Sequence, residues 1–130
     1  MEMKKIKLAI ADDSALLRER IKDLVKVFST VEIVGEAENG IEALKLIIDK
    51  EPDLVILDIR MPEMNGIEVL KKIKKRRSKT KVCILTNYPY QQYKKKCLAE
   101  GADYFFDKNK DFQRIATVIA ELVQTHKDRQ

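Results

Sequence analysis

The 130-residue chain has no tryptophan, one histidine and two cysteines. Cys83 and Cys97 offer neither a disulfide framework nor a CxxC metal signature, so both read as reduced packing thiols. His126 stands in the polar stretch beyond the last helical stripe, without a partner motif, and reads as a solvated side chain. No apolar run approaches the ~20 residues that span a bilayer, which argues against membrane insertion. The opening Met1-Glu-Met-Lys-Lys leads straight into a strand and leaves no room for a signal peptide. Both points favour the cytoplasm. Linkers, repeats and low-complexity segments are missing too, and the length suits one domain over residues 1–130 with no output domain.

What the chain does have is charge and short apolar runs. Its 45% hydrophobic and 36% charged residues describe a globular protein with a real core, at a formal net charge of +5. The charge is unevenly placed: in residues 71–81, eight of eleven are Lys or Arg. Such a stripe can mark nucleic-acid contact. Here it closes a helix, with no interleaved aromatic residue. Cations favoured at the negative pole of a helix are the better account, and binding of nucleic acid or of an acidic partner the weaker one.

Apolar runs alternate with helical patterns along the whole chain. Leu17, Ile21, Leu24, Val25 and Phe28 make an amphipathic stripe after the first run. Residues 31–37 alternate as an edge strand does. Ile41, Leu44, Ile47 and Ile48 predict a second helix ended by Pro52. Ile67, Leu70 and Ile73 predict a third after the turn pair Asn65-Gly66. Tyr90, Tyr93 and Cys97 mark a fourth, closed by Gly101. Phe112, Ile115, Ile119 and Leu122 mark a fifth, with Asp111 as its N-cap. The fold class is α/β: a (βα)5 doubly wound parallel sheet of flavodoxin-like strand order 2-1-3-4-5.

The sites follow from where the strands end. Asp12 and Asp13, Asp58, Thr86 and Lys108 stand at or just past the carboxyl ends of four apolar runs, where ligands bind in open parallel sheets. Each alone has an ordinary explanation. Asp13 or Ser14 could cap the first helix, Asp58 could satisfy loop amides, Thr86 could make a local turn, and Lys108 could be a surface lysine. Together they are hard to dismiss. Three carboxylates in one crevice repel each other unless a cation intervenes. Carboxylates and waters are the expected ligands of Mg²⁺ (or Mn²⁺), and an ammonium beside them suits a phosphoryl group.

The strings Ala-Asp12-Asp13-Ser14, Leu57-Asp58-Ile-Arg-Met-Pro62-Glu-Met-Asn-Gly66, Ile84-Leu-Thr86 and Gly101-Ala-Asp-Tyr-Phe-Phe-Asp-Lys108 resemble those of response-regulator receiver domains. The likeness spans roughly residues 5 to 125. It implies that Asp58 is the phosphoacceptor. Asp12 and Asp13 would position the metal, which Asp13, Asp58 and the backbone carbonyl of Arg60 would bind directly. Lys108 would neutralise phosphoryl oxygens, Thr86 would be the switch hydroxyl, and Phe105 the aromatic that follows it. The implied partners are a sensor histidine kinase or histidine phosphotransfer protein, and a downstream target protein. That target would be met by the fourth helix, fifth strand and fifth helix, presenting Tyr90, Tyr93, Lys94, Lys95, Lys96 and Tyr104. The protein would be a monomer or weak dimer with no turnover of an external substrate. Two other readings stay open: a phosphorelay carrier, and the receiver of a longer DNA-binding regulator.

Three features depart from the pattern. Asn109 follows Lys108 where proline is common, so no cis Lys-Pro bond shapes that loop. Asn87 is bulkier than the usual small residue and is expected to narrow access to Asp58. Arg60 and Tyr88 lie two residues past Asp58 and Thr86, and are expected to slow hydrolysis of the aspartyl phosphate.

Overall fold

A computed structural model describes residues 4–128. Strands β1 (Ile6–Ala11), β2 (Val31–Ala37), β3 (Leu54–Leu57), β4 (Lys81–Thr86) and β5 (Tyr104–Asp107) alternate with five helices. These are α1 (Ala15–Val25), α2 (Gly40–Lys50), α3 (Gly66–Lys75), α4 (Gln91–Ala99) and α5 (Arg114–Asp128). All neighbouring strands pair in parallel, in the order β2-β1-β3-β4-β5. The expected order therefore holds.

The sheet divides the core in two. Val55 and Leu57 point to one face, with Ala43 and Ile47 of α2, Val69, Leu70 and Ile73 of α3, and Cys97 of α4. Leu54 and Ile56 point to the other, with Leu17 and Ile21 of α1 and Ile115 and Ile119 of α5. Burial on both sides is what makes a central strand apolar throughout rather than alternating. Edge strand β2 is half-buried along most of its length and exposes Glu32 and Glu36. Both cysteines are free and buried, as expected of packing thiols.

Helix ends follow local chemistry. The Ser14 hydroxyl accepts from Leu17 N–H, while Asn39 and Asn65 cap α2 and α3 through Glu42 and Glu68 N–H. Gly101 takes φ +101° just past α4, where a side chain would be strained.

Three local expectations need correction. The buried face of α2 is Gly40, Ala43 and Ile47, whereas Ile41 and Ile48 are exposed. Residues 40 and 43 are too small to stand out in a hydrophobic stripe, yet small side chains let the helix approach: a Cβ at position 40 would collide with the Met64 backbone. Asp111 does not cap α5, which starts at Arg114; its carboxylate accepts from Asp107 N–H instead and closes the turn after β5. Phe112 is buried but precedes the helix. His126 lies within α5, and its ring meets the Lys4 carbonyl at 2.8 Å.

Candidate functional site

The carboxyl end of the sheet brings four of the expected side chains together. Asp12 and Asp58 continue their strands by one residue. Asp12 N–H donates to the Ala37 carbonyl and Asp58 N–H to the Ala11 carbonyl, so both Cα positions are fixed by the ladder. Gly66 packs directly on the other side, where a Cβ would collide with the Asp58 carbonyl oxygen. Its N–H donates to the Ile59 carbonyl at 2.7 Å. The Asn-Gly pair read from sequence as a turn thus also holds the loop that follows Asp58.

Lys108 joins the two buried carboxylates. Its ammonium lies 2.8 Å from Asp12 Oδ2 and 3.1 Å from Asp58 Oδ2, with all three side chains nearly closed to solvent. The remaining Asp58 oxygen accepts from Ile59 N–H at 2.8 Å, and Asp12 Oδ1 accepts from Ser14 N–H at 2.9 Å. Arg18 adds a bond that has no signature in the sequence, from Nη1 to the Asp12 carbonyl at 2.7 Å. It is held in turn by Glu36 on β2.

Electrostatics separate the two partners. Burial, and next the charge of Asp12, push the Asp58 carboxyl up to about 6, against the opposing pull of Lys108. Burial also lowers the Lys108 ammonium, but its bond to Asp12 and the charge of Asp58 outweigh that and leave its pKa raised. Lys108 is therefore a fixed cation, and the neutralisation it supplies is incomplete.

Asp13 is exposed, at the mouth of the same crevice. One oxygen from each of Asp12, Asp13 and Asp58 lies within 4.8 Å of the others. An all-oxygen, all-carboxylate set with one side open to water fits a hard divalent cation and disfavours metals that prefer imidazole or thiolate.

Thr86 ends β4 fully buried, and its carbonyl accepts from Lys108 N–H at 2.9 Å. Its hydroxyl accepts from Tyr88 N–H at 3.0 Å, the local turn that a lone threonine would make. Phe105 is half-buried on the α2–α4 face beside Tyr93, whereas Phe106 is buried on the other face. Of the two adjacent rings, Phe105 is the one with room at its edge.

A cationic and aromatic group borders the crevice. Arg60 stacks 3.7 Å from the ring centre of Tyr88, and its Nη2 meets Tyr93 Oη at 3.4 Å. Tyr90 packs between Tyr88 and Tyr93. On the opposite side, Asn87, Lys108 and Asn109 line a cleft of about 170 Å³ with Ser14 and Leu16 of the α1 end. Leu16, 73% exposed at this cleft, escaped the sequence reading because it falls outside the buried stripe.

Comparison with known proteins agrees with this geometry. The family model described as the response regulator receiver domain matches residues 8–120. The chemotaxis protein CheY of Listeria monocytogenes is 39% identical over 119 residues, which cover 92% of this chain and 99% of that protein. An uncharacterized transcriptional regulatory protein of Bacillus subtilis, YhcZ, is 37% identical over 92% of this chain. The chain spans about half of that regulator's length, and smaller shares of two protein-glutamate methylesterases that it also matches. Among solved structures, the receiver domain of the putative regulator NarL of Mycobacterium tuberculosis superposes with a TM-score of 0.85 at 28% identity. The alignment covers 93% of this chain and 98% of that one. A CheX–CheY–BeF₃–Mg complex of Borrelia burgdorferi gives 0.78 at 28% identity, over 89% of this chain and 90% of that one.

Proposed function

Since the chain belongs to the response-regulator receiver family, we propose that its signalling state is an aspartyl phosphate on Asp58, drawn from a phosphohistidine of a sensor kinase or phosphotransfer protein. The observation that carries this reading is the Lys108 bridge. Asp58 is buried, ladder-fixed and held by an ammonium, yet beside it Asp12 and Asp13 leave room for a divalent ion.

In the transfer, an Asp58 carboxylate oxygen forms a bond to phosphorus as the bond from phosphorus to the histidine nitrogen breaks. Asp58 attacks in its ionised form, which its raised pKa still permits at neutral pH. Asp12 and Asp13 would hold Mg²⁺ with Asp58 and the Arg60 backbone carbonyl; the ion supplies charge neutralisation on the phosphoryl oxygens. Lys108 swings the short distance from the carboxylates to a phosphoryl oxygen. The Thr86 hydroxyl exchanges the Tyr88 N–H for the phosphoryl group, and Phe105 moves into the space vacated on its face. Phosphorylation shifts a pre-existing equilibrium by binding one arrangement better.

The output face is α4, β5 and α5. Tyr90 just before α4, with Lys94, Lys95 and Lys96 on it, suits a target with acidic and apolar features, and the protein turns over no external substrate. Mixing the protein with Mg²⁺ and acetyl phosphate tests the core of this reading. A mass gain of one phosphoryl group is expected in wild type and none in Asp58→Asn; equal modification of both overturns it.

Arg60 and Tyr88 set the lifetime. We place their stacked side chains on the path of the attacking water, with Asn87 in the neighbouring cleft. Arg60→Ala and Tyr88→Ala are expected to release phosphate about three- to tenfold faster, a barrier change near 1 kcal/mol. Unchanged decay in both variants removes this role.

A further inference from the structure

At the amino end of the sheet, opposite the phosphorylation site, the ends of α2 and α3 and the starts of β3 and β4 enclose a cavity of about 470 Å³. That lies within the ~300–1,000 Å³ of pockets that take ligands. Its apolar wall includes Ile47, Ile48 and Ile73, and its rim carries Arg76, Arg77 and Lys79. We infer that this cavity is a docking site for an acidic peptide segment of a partner protein, in which an aliphatic or aromatic side chain enters the cavity and flanking carboxylates meet the arginine and lysine rim.

Three observations carry the assignment. Among the described residues, Arg76, Arg77 and Lys79 enter no ion pair, whereas Lys74 of the same basic run pairs with Asp103. The rim is thus a positive patch, three unpaired cations against the Glu51 and Asp53 carboxylates of the lining, that attracts anionic partners. Second, Arg77 adopts φ +57° and Glu51 φ +44°, so two of the three described non-glycine residues with positive φ line this one cavity. Glycine is the usual residue just past a helix end, and an arginine there keeps a strained backbone in exchange for a cation at the rim. Third, the exposed Ile48 continues along α2 to the exposed Ile41 one heptad away, with half-buried Leu44 between them. An apolar strip leading out of a cavity suits a chain laid across the surface.

Other ligands fit less well. A nucleic acid would find no aromatic ring in the cavity for a base to stack on. A small metabolite needs convergent, fixed polar groups, but the cations here sit on long exposed side chains. Flexible cations around an apolar recess match side-chain carboxylates that can adjust to them.

The inference goes beyond the phosphorylation reading and does not rest on it. Thr86 ends β4, Lys108 follows β5 and Phe105 lies within β5, and none of them lines this cavity, so docking here is independent of the phosphoryl state.

A short synthetic fluorescent peptide, with two leucines among aspartates and glutamates, provides the test by anisotropy and amide chemical shifts. Saturable binding is expected, with shifts confined to residues 41–53 and 73–80. Ile48→Asp, and Arg76→Glu with Arg77→Glu, should each weaken it at least about tenfold. A peptide with serines for the leucines should bind at least about tenfold more weakly, and Asp58→Asn should bind within about twofold of wild type. Arg77→Gly, which relieves the positive φ, separates binding from folding: affinity falls while thermal stability rises. No binding, equal binding of the serine peptide or of an oligothymidylate, or shifts centred on Asp58 each overturn the proposal.

Discussion

The two ends of the sheet handle charge in opposite ways. At the carboxyl end, Asp12, Asp58 and Lys108 are buried and locked to one another, on residues that the strand ladder fixes. At the amino end, Arg76, Arg77 and Lys79 are exposed on a helix end and a loop, with no ion-pair partner among the described residues. Short carboxylates on rigid strand ends give the positional precision that chemistry needs. Long cations on a helix end give reach and adaptability, which recognition of a variable partner needs. One sheet carries both, and the distance between its ends separates a switched function from a constant one.

Removing Lys108 should break the carboxyl end most severely. Lys108→Ala leaves two buried carboxylates facing each other, and a loss of about 3 kcal/mol in metal-free urea unfolding is expected. Adding Mg²⁺ should restore much of it, since the ion replaces the missing cation. A variant as stable as wild type in chelator would show that the bridge contributes no stability.

The reverse holds for Asp58. Its folded pKa of about 6 lies above the ordinary carboxylate value, so the native state favours the acid form more than the unfolded chain does. Stability from this group is full below about pH 4 and is lost as pH rises through about 6. Asp58→Asn should therefore exceed wild type by about 1–3 kcal/mol at pH 8 in chelator, with the gap closing by pH 4. A gap independent of pH would mean that Asp58 is not a strained carboxylate. This pairing sharpens the contrast: at the carboxyl end, stability is given up for chemistry.

The amino end should respond least. Arg77→Gly removes a positive-φ side chain without disturbing a buried contact, and a gain of about 0.5–1 kcal/mol in thermal unfolding is expected. A loss would indicate that the guanidinium makes an intramolecular contact that matters.

Legibility from sequence follows the same division. Asp12, Asp58, Thr86 and Lys108 could be placed because each sits at a strand end, and a parallel sheet gathers those ends. Their mutual bonding could not: the Lys108 bridge and the Arg18 bond to the Asp12 carbonyl depend on how helices settle on the sheet. Arg60 and Tyr88 were singled out by offset from Asp58 and Thr86, but their stacking on each other is tertiary. At the amino end the basic run was plain in the sequence and read as a solvated helix end. The cavity beneath it is hidden, because its walls come from two segments distant in sequence that meet only in the fold, where the Thr80 hydroxyl donates to the Pro52 carbonyl. Helical spacing predicts Ile48 in the core, but the small residues that bring α2 onto the sheet turn it outward.

The central claim is that a phosphoryl group at Asp58 rearranges the carboxyl end and leaves the amino end alone. Amide chemical shifts of the protein with Mg²⁺, before and after addition of beryllofluoride as a phosphoryl mimic, test it directly. Large shifts are predicted at Asp58, Thr86, Tyr88, Phe105, Lys108 and along α4, with residues 47–53 and 76–80 unmoved. Shifts limited to the residues that touch the mimic, or spread equally to the basic cavity, would contradict it.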